Sequence, residues 1–236
     1  MPPHRTAAVR PRTKQEFVYQ RLRDQIMRCD LAPGDRIVID EVARRLAVSI
    51  IPVREALQLL QSEGLIVNTP HVGATVAPIS RESVLEVFTL LEALGHVATR
   101  LVAERGVPHE LDELDRILVQ MDAAVSSLRY EAWAELNTEF HIAIGALPGL
   151  PMLHEMTARV FDRWHRVRRY FFRGVLLHRV EQAQREHRQM LAAMRRRDFD
   201  ALRDIVREHN QSALASYLGY LDSRPIAASA LGSAGR

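Results

Sequence analysis

The stretch from Asp40 to Leu65 constrains this chain more than any other, because its apolar residues repeat at helical spacing on both sides of a tight turn. Val42, Ala43 and Leu46 make one apolar face, and Val53, Ala56, Leu57 and Leu60 make the next at i, i+3, i+4, i+7. Ala47-Val48-Ser49 forms the turn between them. Ser49 is a natural N-cap, Pro52 falls in the first turn where its missing N–H is harmless, Glu55 suits the positive end of the helix dipole, and Gly64 stops the helix. Arg44, Arg45 and Arg54 point away from the apolar faces. Two short helices with basic outer faces make a helix-turn-helix, which lays its second helix in a DNA major groove.

A hairpin is expected next. Leu65-Ile66-Val67 is β-prone, Asn68 to Gly73 has turn chemistry, and Ala74 to Ala77 is β-prone again, the pattern of a wing. Ile37-Val38-Ile39 reads as a short strand able to pair with it. Pro33-Gly34, Leu46-Ala47-Val48-Ser49, Pro52-Val53-Arg54-Glu55-Ala56-Leu57, Glu63-Gly64-Leu65 and Gly73 together resemble the DNA-binding domain of GntR-family transcription regulators. The resemblance implies that residues 13–78 bind double-stranded operator DNA. Arg54 is the candidate base reader or phosphate clamp; Arg36, Arg44 and Arg45 suit phosphates, Ser49 heads the recognition helix, and His71 and Gly73 form the wing tip. Where the family pattern places an arginine after Ser49, this chain has Ile50 and then Ile51, and Asp40 stands where some relatives carry a basic residue. Isoleucine can contact thymine methyls, so either the operator is unusual or the DNA affinity is reduced.

The charge distribution points the same way. Residues 1–78 carry 11 Lys and Arg against 8 Asp and Glu, whereas residues 79–236 carry 21 of each, so the excess positive charge lies where phosphates would be met. A chain of 236 residues is long enough for two modest domains. Residues 1–12, rich in proline and arginine, are expected to form a disordered arm and lack the apolar core of a secretory signal. The single cysteine, Cys29, excludes an internal disulfide, reads as a small buried hydrophobe, and suits the cytoplasm. Nothing approaches the length of a membrane span.

Beyond Pro78-Ile79-Ser80, with Ser80 a good N-cap, the pattern is helical throughout. Helices are expected from Ser80 to a stop at Gly106, with Val84, Leu85, Phe88, Leu91, Leu94, Val97 and Leu101 inward; from Pro108 to about Ser126; from Tyr130 to Gly145; to about Arg173; from about His178 to Arg197; and from Phe199 to Leu221. The expected fold is therefore mainly α: a winged helix-turn-helix followed, over residues 79–222, by an all-helical antiparallel bundle of about six helices, with a disordered tail over 223–236. Arg163, Arg166, Arg168, Arg169 and Arg173, interleaved with aromatics, read as the solvated face of an amphipathic helix. His109, His154, His165 and His178 read as surface.

Eight of the ten histidines follow residue 79. Asn137 and His141, four apart, share a helix face; His187 and His209 lie on two later helices. Three imidazoles and a side-chain oxygen would suit a divalent transition ion if they converged, and are scattered surface residues if they do not. Asn137-x-x-Phe140-His141, Glu186-His187-x-x-Met190 and His209 resemble the FCD-type effector-binding domain of the FadR subfamily. That resemblance implies metal ligation by Asn137, His141, His187 and His209, most simply of zinc, with nickel or manganese as alternatives, and a small carboxylate effector. Two departures stand out. Asn137 replaces the aspartate of many relatives, and Phe88 occupies the place, one turn before Glu92, of a carboxylate-gripping arginine. His96 and Arg100 are the remaining candidates for the effector pocket.

The reading is a metabolite-responsive homodimeric regulator, a repressor released or modulated by its effector. A metal-sensing regulator and a metal-dependent enzyme are the alternatives. Catalysis is disfavoured because no motif places a base beside the histidines; Glu186, next to His187, should point about 100° away around the helix.

Overall fold

The computed structural model describes residues 13–69, 71–171, 174–175 and 177–223. The expected N-terminal arm and the tail beyond Ser223 lie outside the described residues, as do Pro70, Phe172 and Arg173. The chain divides between Ile79 and Ser80 into two compact units.

The first unit begins with α1 (Lys14–Met27), capped by Thr13, whose hydroxyl accepts from the Glu16 N–H at 3.1 Å. α2 (Ile39–Leu46) and α3 (Ile50–Ser62) follow, joined by a turn in which Ala47 takes the left-handed conformation at φ 53°. The two-stranded wing is β1 (Ile66–Thr69) and β2 (Gly73–Val76), antiparallel with Ile66 opposite Val76 and Thr69 opposite Gly73. Val18, Leu22 and Ile26 of α1 meet Val53, Ala56 and Leu60 of α3 and the wing's Ile66 and Val76 in one apolar core. The expected strand at 37–39 is not formed. Arg36 makes a single bridge to Thr75, the Ile37 N–H donates to the Ala74 carbonyl at 2.8 Å, and Ile39 already belongs to α2. Asp40 and Glu41 in the first turn favour the helix through its dipole, and this outweighs the β preference of three branched residues. Cys29 is half-buried at φ 58°, a helix-ending position rather than a core one.

Among the described residues, six α-helices of the second unit close into a ring. α4 (Arg81–Arg105) packs on α9 (Phe199–Ser223), α9 on α8 (Leu177–Arg196), α8 on α5 (Pro108–Ser126), α5 on α6 (Tyr130–Ala146), α6 on α7 (Pro151–Tyr170), and α7 on α4 again. α4 starts with a reciprocal capping box between Ser80 and Ser83 and ends at Gly106, in the left-handed region at φ 58°, where a Cβ would strike the Arg197 guanidinium. α5 and α7 each open on proline, whose fixed φ suits the first turn. Val84, Val87, Phe88, Leu91, Ala98 and Val102 form the buried stripe of α4; Leu85 and Val97, expected inward, fall off that stripe and are about half exposed. α7 ends three residues earlier than expected and α9 runs two further, so Ser223 is helical.

Candidate functional site

Two surfaces of different character carry the candidate chemistry. In the first unit, Ser49, Ile50, Ile51, Arg54 and Glu55 lie exposed at the start of α3, with Arg36, Arg44 and Arg45 also exposed. Ser49 occupies the N-cap position, but its side chain makes no capping hydrogen bond. Arg45 donates to Gln25 at 3.4 Å. The wing tip carries exposed His71 at φ 63° and Gly73 at φ 94°, so the hairpin turns through left-handed backbone that glycine takes without strain.

In the second unit the chemistry is inside the ring. His141 on α6, His187 on α8 and His209 on α9 bring ligating atoms within 4.8 Å of one another, with His141 Nε2 and His187 Nε2 3.2 Å apart. His187 is wholly buried, between Phe140 and Trp133, and His141 stacks on Phe161 at 5.2 Å. Burial, and then the charge of His209, hold both imidazoles well below the ordinary range, so they are neutral. His209 Nδ1 is bonded to Glu186 Oε2 at 2.6 Å. Glu186 is gripped on both oxygens by Arg179, at 3.0 and 2.8 Å, and Arg179 also donates to the His209 carbonyl at 3.0 Å. Burial pushes the Glu186 carboxyl up, but the hydrogen bonds and charges of His209 and Arg179 outweigh it and bring it down to about 2.

A cavity of about 70 Å³ adjoins this cluster, lined by Asn137, His141, His209 and Arg179 and by apolar residues including Phe161 and Trp164. One water needs about 10–15 Å³, so the cavity has room for roughly five waters or a small organic acid.

A family model described as "Bacterial regulatory proteins, gntR family" matches residues 14–76, and one for the FCD domain matches residues 86–212. The chain belongs to the GntR family. Its helix-turn-helix followed by an FCD domain is the FadR-type arrangement, and it is a transcriptional regulator. It is similar to the HTH-type transcriptional regulator McbR of Escherichia coli, 26% identical over 82% of this chain and 88% of that protein. The HTH-type transcriptional repressor GlaR of the same organism is 28% identical over 81% of this chain and 90% of its own. The solved structure of E. coli McbR/YncC superposes with a TM-score of 0.69 at 25% identity, covering 89% of this chain and 99% of that one.

Within this GntR-family frame the structure brings His141, His187 and His209 together, and Asn137, buried one helical turn before His141, lines the same cavity. It does not bring in His96 or Arg100. His96 lies 3.7 Å from Glu92, Arg100 is exposed and paired with Glu104 at 2.8 Å, and neither lines the cavity. The arginine-rich run of α7 is not a solvated face throughout, since Arg166 and Arg168 are buried. Arg168 donates to Glu135 at 2.7 Å and lies over the Trp164 ring at 5.5 Å. Arg179 and the part played by Glu186 escaped sequence reasoning. The signal was present: opposite charges seven apart on one helix share a face two turns on. Glu186 does point away from its neighbour His187, and that direction carries it to His209.

Proposed function

We propose that this regulator is a metabolite-responsive repressor acting in the cytoplasm as a homodimer on double-stranded operator DNA. In this reading Asn137, His141, His187 and His209 hold a divalent transition ion, and a small carboxylate effector binds beside it. The observation that carries the reading is the 3.2 Å between the Nε2 atoms of His141 and His187. Two nitrogens each about 2.0–2.1 Å from one tetrahedral ion lie about 3.3–3.4 Å apart, so the rings already stand near ligating separation. Neutral His141 and His187 are in the form that ligates. The contact from His209 Nδ1 to a carboxylate is the usual support of a ligating imidazole, leaving the Nε2 lone pair free in the neutral ring. His187 Nδ1 lacks such support, being buried with no hydrogen-bond partner.

Nitrogen-rich donors with one neutral oxygen fit zinc best, with nickel or manganese as alternatives. None of the four residues contributes a negative charge, so a bound dication would attract a carboxylate, and it would supply Lewis-acid attraction to that anion. Arg179 is already neutralised by Glu186, which leaves the ion as the main anion-binding charge in the cavity. The same engagement of Glu186 by Arg179 and His209 favours binding over catalysis. That the similar GlaR is a transcriptional repressor supports the direction of control. Effector binding needs to couple to operator affinity by only about 1–3 kcal/mol.

Elemental analysis after dialysis against a mild chelator and remetallation tests the ion directly. About one ion per chain is expected for wild type, with loss in His187→Ala and His209→Ala. Asn137→Asp should tighten the ion by adding a charge and weaken an anionic acid such as citrate by lowering the net positive field. Opposite signs separate this from destabilisation, which weakens both. A wild-type chain that takes up no stoichiometric zinc, nickel or manganese removes the metal from the reading.

A further inference from the structure

Ile50 and Ile51 are the first two residues of α3, and they expose 42% and 64% of their surfaces. Ile51 is the most exposed large apolar side chain among the described residues of the first unit. Helical phase places Ile51, Arg54, Glu55 and Gln58 on one stripe at i, i+3, i+4, i+7, and all four are exposed, opposite the buried Val53, Ala56 and Leu60. In a helix-turn-helix the N-terminal residues of the second helix are those that meet base edges. Isoleucine offers neither donor nor acceptor there. The groups a base pair presents in the major groove are hydrogen-bonding atoms, with one apolar exception, the C5 methyl of thymine. Packing an isoleucine on any other edge would desolvate a donor or acceptor without replacing its bond, which is unfavourable.

We infer that Ile50 and Ile51 are specificity-determining residues that read thymine methyl groups, so that each half-site carries thymine opposite the start of α3. Arg54, one turn along the same stripe, supplies the adjoining phosphate or guanine contact. The inference rests on the DNA-binding reading of this unit and is independent of the metal and effector. Of the two expectations for these residues, it takes the altered operator rather than the reduced affinity.

The test uses the full chain. Binding duplexes are selected from a random-sequence library, and the enriched duplex is remade with deoxyuridine in place of each thymidine in turn, which deletes the methyl and leaves base pairing intact. One or two thymidines per half-site are expected to matter, each substitution lowering affinity about fourfold, the equivalent of one buried methyl-sized group. Ile50→Ala/Ile51→Ala should bind the thymidine duplex more weakly and become indifferent to deoxyuridine at those positions. Ile51→Arg should move the selected base there from thymine towards guanine. Both sites are exposed, and an unchanged thermal midpoint checks that each variant is folded. Equal binding of thymidine and deoxyuridine duplexes overturns the inference. So does a double-alanine variant that keeps the full deoxyuridine sensitivity, since the methyl would then act through DNA shape. A library that yields no enriched duplex overturns the DNA-binding reading and the inference with it, whereas an enriched duplex without a methyl effect overturns the inference alone.

Discussion

The first unit's core, built on Val18, Leu22, Ile26, Val53, Leu60 and Ile66, contains one buried polar side chain among the described residues, Thr75, whereas the helical ring buries Arg166, Arg168, Arg179, Asn137, His187 and Asn210 among its apolar residues. The two interiors therefore stand on different terms. Apolar burial is non-directional, so the first unit needs only side chains of suitable size in phase. A buried charge is costly unless a partner meets it with good geometry, so the ring depends on specific pairs. The difference follows where each unit keeps its chemistry. The first unit keeps Arg54 of α3 and His71 of the wing exposed over an apolar core. The ring also buries polar groups, of which Asn137, Arg179 and Asn210 line its cavity.

The sharpest way to break this comparison is to remove one charge from the ring. Arg179→Ala takes the bidentate cation from the largely buried Glu186 carboxylate and leaves it only His209, and the expected loss is about 3 kcal/mol in denaturant unfolding. Converting both partners, Arg179→Met with Glu186→Leu, should recover most of it, because no charge is then stranded. In the first unit Leu60→Ala should cost about 2–4 kcal/mol through lost burial and a residual cavity, and no charge exchange would rescue it. An Arg179→Ala cost below about 1 kcal/mol would mean that the pair is effectively solvated.

A smaller effect should appear with acid. The folded Glu186 carboxyl, held at about 2 against an ordinary value of 4.5, favours folding fully above about pH 4.5, and that contribution is lost as pH falls towards 2. Glu186→Gln abolishes this dependence, so the wild-type thermal midpoint should fall more steeply than the variant's between pH 5 and pH 2. Parallel curves would show that other groups govern the acid limb.

The smallest stability effect belongs to the outer face. Arg54 is exposed, so Arg54→Ala should change stability by less than about 0.5 kcal/mol. Its operator affinity should nevertheless fall, and if Arg54 grips a phosphate the slope of log affinity against log salt should shrink by about 0.9. Wild-type affinity and slope in this variant would remove Arg54 from the contact surface.

Much of the architecture was legible because local chemistry decided it. α5 spans Pro108–Ser126 as periodicity, proline and the following break require, and α4 stops at Gly106, where only a left-handed residue continues the chain cheaply. Sequence pattern and structure part where two local preferences compete. Ile37 to Ile39 are branched and β-prone, yet the acidic residues after them recruit Ile39 into α2. Leu85 and Val97 fit an apolar count for α4 but not the phase of its buried stripe, which is set by what packs against it.

The sequence by itself determined the kinds of element and the turn and wing around α3, since spacing, caps and residue chemistry are local properties; Asn137, His141, His187 and His209 stood out as a set only through the resemblance to FCD-type domains. Only the tertiary structure decided that His141, His187 and His209 converge, that Arg179 and Glu186 stand behind His209, that Arg166 and Arg168 are interior, and that His96 and Arg100 do not line the cavity. The physical reason is that helix periodicity says which residues share a face but not which helix that face will meet. Closing six helices into a ring sets those encounters, and the burial, neutral imidazoles and lowered carboxyl of the candidate site follow from them.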